Sequence, residues 1–183
     1  ASQRGLFLVD EQFCTSVPGI YAIGDVIGGV QLAHKAEAEG QAAVAFMAGE
    51  TPERRVELIP SCIYTDPEIA WVGLGEAEAK AQGREIKVGK ALMSANGKSL
   101  IAGAERGFIK LIFDRDSQVL LGAALMCCRA TDLISELTLA VSQGLTLESL
   151  AAIVRPHPTF NEAITEAVEA AVEMAIHAMP RRR

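Results

Sequence analysis

The sequence predicts an α+β fold: a mostly antiparallel sheet with helices on one face, preceded by a strand–loop–helix piece of α/β character. Three observations predict it. Residues 20–48 run from a short apolar stretch through Gly28-Gly29 into a helical pattern. Beyond residue 60, short runs of β-forming residues follow one another without regular βαβ alternation. The last third of the chain is Ala-rich with helical periodicity.

Taken in order, residues 5–9 predict a short strand, and Val17-Pro18-Gly19 a turn. Residues 20–23 (IYAI), closed by Gly24-Asp25, predict a buried parallel strand. A helix is predicted over 32–48, with Leu32, Ala36, Ala43 and Met47 on one side. Gly40 inside that helix costs about 1 kcal/mol against Ala, which points to a close backbone approach there. The polar stretch 49–60, with Pro52 and Pro60, marks a boundary, giving domains over 1–50 and 61–183 joined by a linker over 51–60. Strands are predicted at 62–65, 69–73, 86–92, 107–113 and 119–126, with a helix over 76–82 stopped by Gly83. Residues 114–117 supply a hairpin turn, and Lys110 amid apolar neighbours predicts one wet sheet face. Helices follow over 131–143, with Gly144 at its end, over 146–153 capped by Thr146, and over 159–179 as one long Ala-rich element.

Composition excludes several function classes. The chain has 183 residues, a net charge of −6, 50% apolar and 22% charged residues. That is enough apolar material for a core, so wholesale disorder is excluded. An acidic chain without a basic stripe is a poor polyanion binder, and Arg181–Arg183 is read as a solvated tail. No apolar run approaches the ~18 residues of a membrane span. Cys14, Cys62, Cys127 and Cys128 contain no C-x-x-C pair and no metal-ligand spacing. They read as reduced, largely buried thiols of a cytoplasmic protein.

Two places could carry chemistry. Asp25 lies where a strand is expected to end. A carboxylate there could accept hydrogen bonds from ligand hydroxyls, or simply begin a turn. His157 and Glu162 lie in Arg155-Pro156-His157-Pro158-Thr159-Phe160-Asn161-Glu162. Two prolines restrain the backbone beside His157. Thr159 and Glu162 fit a capping box, which would explain Glu162 structurally. A first-turn carboxylate could equally hold the imidazole in one tautomer, as a general base requires. His34 and His177 carry weaker signals. His177 reads as a cation near a helix C-terminus.

The segments TSVPGIYAIGDVIGGVQLAHKAEAEG (15–40), CIYTDPEIAWVG (62–73) and HPTFNEAITEA (157–167) together resemble the C-terminal half of the pyridine nucleotide–disulfide oxidoreductases. The AHKAEAEG and HPT-x-x-E wording is most similar to the dihydrolipoyl dehydrogenase branch. The resemblance implies the end of an FAD-binding domain followed by an interface domain. Asp25, after Gly24, would bind the ribityl part of FAD. Gln31, Leu32, Ala33 and His34 would line the flavin, largely through main-chain groups. His157 would be the acid–base catalyst and Glu162 its partner, beside the disulfide of the other subunit of a homodimer, with a cis His157–Pro158 bond. The parent enzyme would oxidise dihydrolipoyl groups of 2-oxo acid dehydrogenase complexes and pass electrons through FAD to NAD.

The family's C-x-x-x-x-C pair, its G-x-G-x-x-G fingerprint and its NAD-binding domain are absent from these residues, and residue 1 is not Met. The resemblance therefore implies a piece of a longer protein, inactive alone. Cys127-Cys128-Arg129-Ala130 also departs from the family's more usual Gly-Pro-containing turn. Alternatives are another FAD-dependent disulfide reductase, a transhydrogenase-like flavoprotein, or a non-catalytic dimerisation module.

Overall fold

Alternation of buried and exposed residues builds one sheet from residues 61–127. The computed structural model describes residues 2–3, 5–53 and 56–177. The chain divides into two units, Ala1–Ile59 and Pro60–Arg183.

In the first unit, β1 (Ser2–Gln3) pairs antiparallel with β2 (Leu6–Phe7), so the strand expected over 5–9 is shorter. The buried parallel strand expected at 20–23 does not form. Ile20 is 54% exposed, and the run makes only an antiparallel bridge from Tyr21 to Cys14. A parallel strand needs a neighbour along its hydrogen-bonding edge, and none lies beside this one among the described residues. Gly24 and Asp25 therefore open a 3-10 turn, Gly24–Ile27, rather than close a strand. Helix α1 (Ala33–Met47) follows. Its buried face is Lys35, Ala38, Glu39, Ala42 and Ala43, not the stripe ending at Met47, which is half exposed. Ala42 and Ala43 pack with Phe13, Tyr21, Ile23 and Phe46. At Gly40 the neighbour is a side chain rather than the close backbone approach expected: a Cβ there would stand 3.1 Å from the Cδ1 of Ile23.

In the second unit, β3 (Ser61–Ile63), β4 (Glu68–Gly73), β5 (Ile86–Leu92), β6 (Phe108–Asp114) and β7 (Leu120–Cys127) form an antiparallel sheet in the order β3-β4-β7-β6-β5. Ala91, Ile109, Leu125 and Ala70 stand opposite one another across four strands, and all are buried. Helices α4 (Ala130–Ser142) and α6 (Glu162–Ala170) cover that face, α4 over β4 and β7, α6 over β5 and β6. Leu133, Leu137 and Ala140 of α4, and Ile164, Ala167 and Val168 of α6, are the apolar contacts. The opposite face is the wetter one. Trp71 and Lys90 are exposed there, and Lys110 meets Glu76 of α2 (Glu76–Ala81) at 2.7 Å. Helices α3 (Gly97–Ala102), which sequence reading missed, and α5 (Leu147–Ala151) complete the unit. Asn96 caps α3 by accepting the Ser99 N–H at 2.9 Å, and Thr146 caps α5 by accepting the Ser149 N–H at 3.2 Å.

The long helix expected over 159–179 is cut at both ends. It starts at Glu162, because residues 157–158 bend and residues 160–161 form a turn ahead of it. It ends at Ala170. The Met174 N–H then donates to the Glu169 carbonyl at 3.0 Å, with Glu173 left-handed at φ 61°, which is a Schellman-type stop. His177 thus lies beyond the helix rather than in its last turn. The basic tail Arg181–Arg183 lies outside the described residues.

Gly89 of β5 sits directly beneath α6. A Cβ there would run into the Ala167 carbonyl and reach the Ala171 nitrogen at 3.0 Å. Backbone on both sides leaves nothing that can swing aside. Gly89→Ala is expected to destabilise the chain by roughly 1–3 kcal/mol or more through overpacking. Urea unfolding of the variant measures this, and unchanged stability would show that α6 lies elsewhere.

Candidate acid–base site

Pro156 and Pro158 leave His157 little backbone freedom, and the turn they make is fastened at the start of α6. Glu162 does the fastening. Its Oε1 lies 2.8 Å from His157 Nδ1, and its Oε2 accepts the Thr159 N–H at 2.8 Å. Only the carboxylate half of the expected capping box forms; the Thr159 hydroxyl donates to the Pro156 carbonyl at 2.7 Å. Both readings of Glu162 therefore hold at once: it caps the turn and grips the imidazole. The His157–Pro158 bond is cis, as the family resemblance implied.

A carboxylate only accepts hydrogen bonds, so the Nδ1 of His157 carries the proton in this pair. The lone pair is then on Nε2, on the other edge of the ring. The His157 side chain is 78% exposed and lines a cavity of about 400 Å³ with Leu92, Asn96, Val154, Glu162 and His177. His177 forms a second pair, its Nδ1 lying 2.7 Å from Glu166 Oε1. Partial burial pushes the Glu162 carboxyl up. The Thr159 N–H, the His157 hydrogen bond and the nearby imidazoles outweigh it and hold the carboxyl below its ordinary range.

The other sequence-predicted residues gather in the first unit. Gly24 is buried and Asp25 exposed at the head of the 3-10 turn. Gln31 and Ala33 are exposed, and Leu32 and His34 half-buried, at the start of α1. Sequence reading missed what holds this turn. Glu39 Oε2 accepts the Gly24 N–H at 2.8 Å, while Lys35 Nζ donates to the Gly28 carbonyl at 3.2 Å. Lys35 and Glu39 also pair with each other at 2.7 Å, with side chains only 11% and 6% exposed. Their i,i+4 spacing was the available signal, but such pairs are ordinarily solvated. A rigid turn presenting an outward carboxylate beside a helix start fits a polyhydroxyl ligand chain.

All four cysteines are free thiols. Cys127 is buried at the end of β7. Burial, then Cys128 and Glu68, push its thiol up to about 12, which makes it inert. Cys14, Cys62 and Cys128 are only half-buried, less than the sequence suggested.

Residues 59–168 match the dimerisation domain of the pyridine nucleotide-disulphide oxidoreductases, and residues 1–40 match a second domain of the same family. The chain belongs to the pyridine nucleotide-disulphide oxidoreductase family. Among relatives of this family, a dihydrolipoyl dehydrogenase of Bacillus subtilis is 46% identical over 177 residues, covering 96% of this chain and 37% of that protein. A dihydrolipoyl dehydrogenase of Cupriavidus necator is 43% identical over 167 residues, covering 91% and 35%. The chain thus spans little more than a third of the relatives it matches. Among solved structures of similar proteins, the HOCl-induced flavoprotein disulfide reductase RclA of Escherichia coli superposes with a TM-score of 0.85 at 26% identity. That match covers 92% of this chain and 39% of the other. LpdA of Mycobacterium tuberculosis gives a TM-score of 0.81 at 28% identity, covering 90% and 36%.

The Glu162 geometry sets a pH dependence. A carboxyl whose folded pKa is depressed stabilises the fold above its unfolded pKa, about 4.3 for Glu. That stabilisation is lost as pH falls through the lower folded value. The stability difference between the native chain and Glu162→Gln is therefore expected to be full near neutrality and to vanish in acid. Urea unfolding across a pH series measures it, and a difference that persists unchanged into strong acid would refute the assignment.

Proposed function

We propose that the full-length protein carrying this chain is a dihydrolipoyl dehydrogenase, oxidising dihydrolipoyl groups to lipoyl groups with FAD and a redox disulfide and delivering the electrons to NAD. One observation carries this reading: the 2.8 Å His157–Glu162 pair, open to a cavity, in a chain 46% identical to a dihydrolipoyl dehydrogenase.

Oxidising a dithiol to a disulfide releases two electrons and two protons. FAD, when bound, would supply the two-electron chemistry that links this oxidation to NAD. This chain's residues handle the proton. A thiol is a poor nucleophile and its thiolate a good one. Neutral His157, protonated at Nδ1 toward Glu162, takes the thiol proton at Nε2. Glu162, held ionised, stabilises the imidazolium that results and keeps the ring from turning. The thiolate would then attack a disulfide outside these residues, forming a mixed disulfide as the old S–S bond breaks and one of its sulfurs leaves as a thiolate. The second substrate thiol, deprotonated in turn, would displace the other, leaving the substrate as a disulfide and the protein's pair as a dithiol. In the first unit, Asp25 would accept hydrogen bonds from the ribityl hydroxyls, with Gln31, Leu32, Ala33 and His34 along the flavin. The Lys35–Glu39 clamp on Gly24 and Gly28 keeps that turn rigid.

The match to a dimerisation domain and the exposure of His157 support a homodimer in which the partner covers this imidazole. The chain alone would be inactive, since neither the redox pair nor the NAD-binding domain is in it. The full-length protein would serve 2-oxo acid dehydrogenase complexes in the cytoplasm. No helix among the described residues is long and apolar enough to cross a membrane. The RclA superposition favours a second reading, a flavoprotein reductase of another disulfide.

His157→Gln in the full-length protein is expected to retain flavin and lose roughly 10²–10⁴-fold in dihydrolipoamide turnover. Steady-state kinetics with dihydrolipoamide and NAD test this. Near-native turnover would remove His157 from the chemistry, and an intact protein inert toward dihydrolipoamide would favour the second reading.

A further inference from the structure

We infer that Glu136, through Arg155 and Asn161, is a second positioning residue for His157, holding the turn on which the Glu162–His157 pair sits; this rests on the acid–base reading above. Glu136 lies on α4, 21 residues before His157, and its carboxylate bonds to Arg155 and Asn161 rather than to His157 or Glu162. Its two oxygens instead hold both flanks of the turn that carries them. Oε1 accepts from Arg155 Nη2 at 2.6 Å, two residues before His157. Oε2 accepts from Asn161 Nδ2 at 3.1 Å, four residues after it and adjacent to Glu162. Arg155 carries the tie onward. Its Nη1 donates to Thr165 Oγ1 on α6 at 2.9 Å and, more weakly, to the Leu150 carbonyl at 3.4 Å. From the other side, Asn96 Nδ2 donates to the Thr159 carbonyl at 3.0 Å.

The energetics argue for positioning over bulk stability. The Arg155 side chain is only 3% exposed, so its charge has left water. A buried ion pair is often no more stabilising than an apolar pair of the same volume. This one also leaves Arg155 Nε buried without a hydrogen-bond partner, a further cost. What an apolar pair could not supply is direction. A guanidinium and a carboxylate fix angles as well as distance. With Glu136 fixed on α4, the ends of the 155–161 turn cannot slide relative to each other, and the His157 ring keeps its edge toward the cavity.

The full-length protein with Glu136→Ala, Asn161→Ala and His157→Gln tests this. Asn161→Ala removes one bond and leaves the Arg155–Glu136 pair, so it decides the matter if Glu136→Ala does not fold. The readouts are dihydrolipoamide kcat per bound flavin, KM for dihydrolipoamide, the ratio of dihydrolipoamide to NADH–dye activity, and the His157 Nδ1 proton resonance in ¹H–¹⁵N spectra. Glu136→Ala is expected to lower kcat and the activity ratio about tenfold or more, with KM changed less than about threefold, and to broaden or shift the Nδ1 resonance. Asn161→Ala is expected to show the same pattern more weakly. A purely structural role would lower melting temperature and flavin content while leaving kcat per flavin and the resonance alone, and that result overturns the inference. Full turnover in His157→Gln would instead fail the acid–base reading, and the resonance in Glu136→Ala would still report whether Glu136 holds the ring.

Discussion

The approach of α6 to the sheet at Gly89 is the constraint on which the second unit depends. Helix backbone meets strand backbone there with no side chain between them. Ala167 on the helix and Gly89 on the strand are the small residues that permit it. Closeness of this kind buries Ile164 and Val168 against β5 and β6, and dense packing resists displacement. Glu162 stands at the first turn of that helix. Its carboxylate therefore has a fixed origin, and everything hung from it inherits that position: the Thr159 N–H, the His157 ring and the turn between them.

Charge is used in a similar way in both units. In each, a glutamate on a helix accepts a hydrogen bond from the backbone of a turn. Glu39 takes the Gly24 N–H, and Glu162 takes the Thr159 N–H. A hydrogen bond to a charged group is worth about 1.5–3 kcal/mol, more than the neutral kind. That is enough to hold a short turn against the freedom its few residues would otherwise recover. Buried carboxylates without partners would be expensive. Lys35 relieves the buried Glu39, whereas in the second unit the buried member is Arg155, relieved by the partly exposed Glu136.

What the sequence showed and what it hid divide along the range of the interactions. Strands β5, β6 and β7 were legible because apolar alternation and a turn at 114–117 are local signals. The His157–Glu162 contact was legible because five residues separate its members and both its readings need only the turn between them. The parallel strand at 20–23 was not legible as absent, since an apolar run looks the same with or without a neighbour to pair with. The stop after Ala170 was hidden because Glu173 is an unusual residue for a left-handed position, where Gly is the ordinary mark. Glu136 was hidden most completely. It lies on the polar side of an amphipathic helix, where a glutamate is normally solvated, and only the tertiary fold brings Arg155 to it.

The exposure of His157 bears on what the pair can do by itself. At 78% exposed, the ring sits in a medium close to water, where two unit charges 4 Å apart attract by about 1 kcal/mol. In a partly desolvated site the same pair is worth about 4 kcal/mol. Orientation is already complete in this chain: the tautomer is set, the turn is clamped and α6 cannot move. Exclusion of water is not. A surface closing over Nε2 would exclude that water and strengthen the pair. A second copy of the chain, approaching through its own dimerisation domain, has the symmetry to supply such a surface to both sites at once.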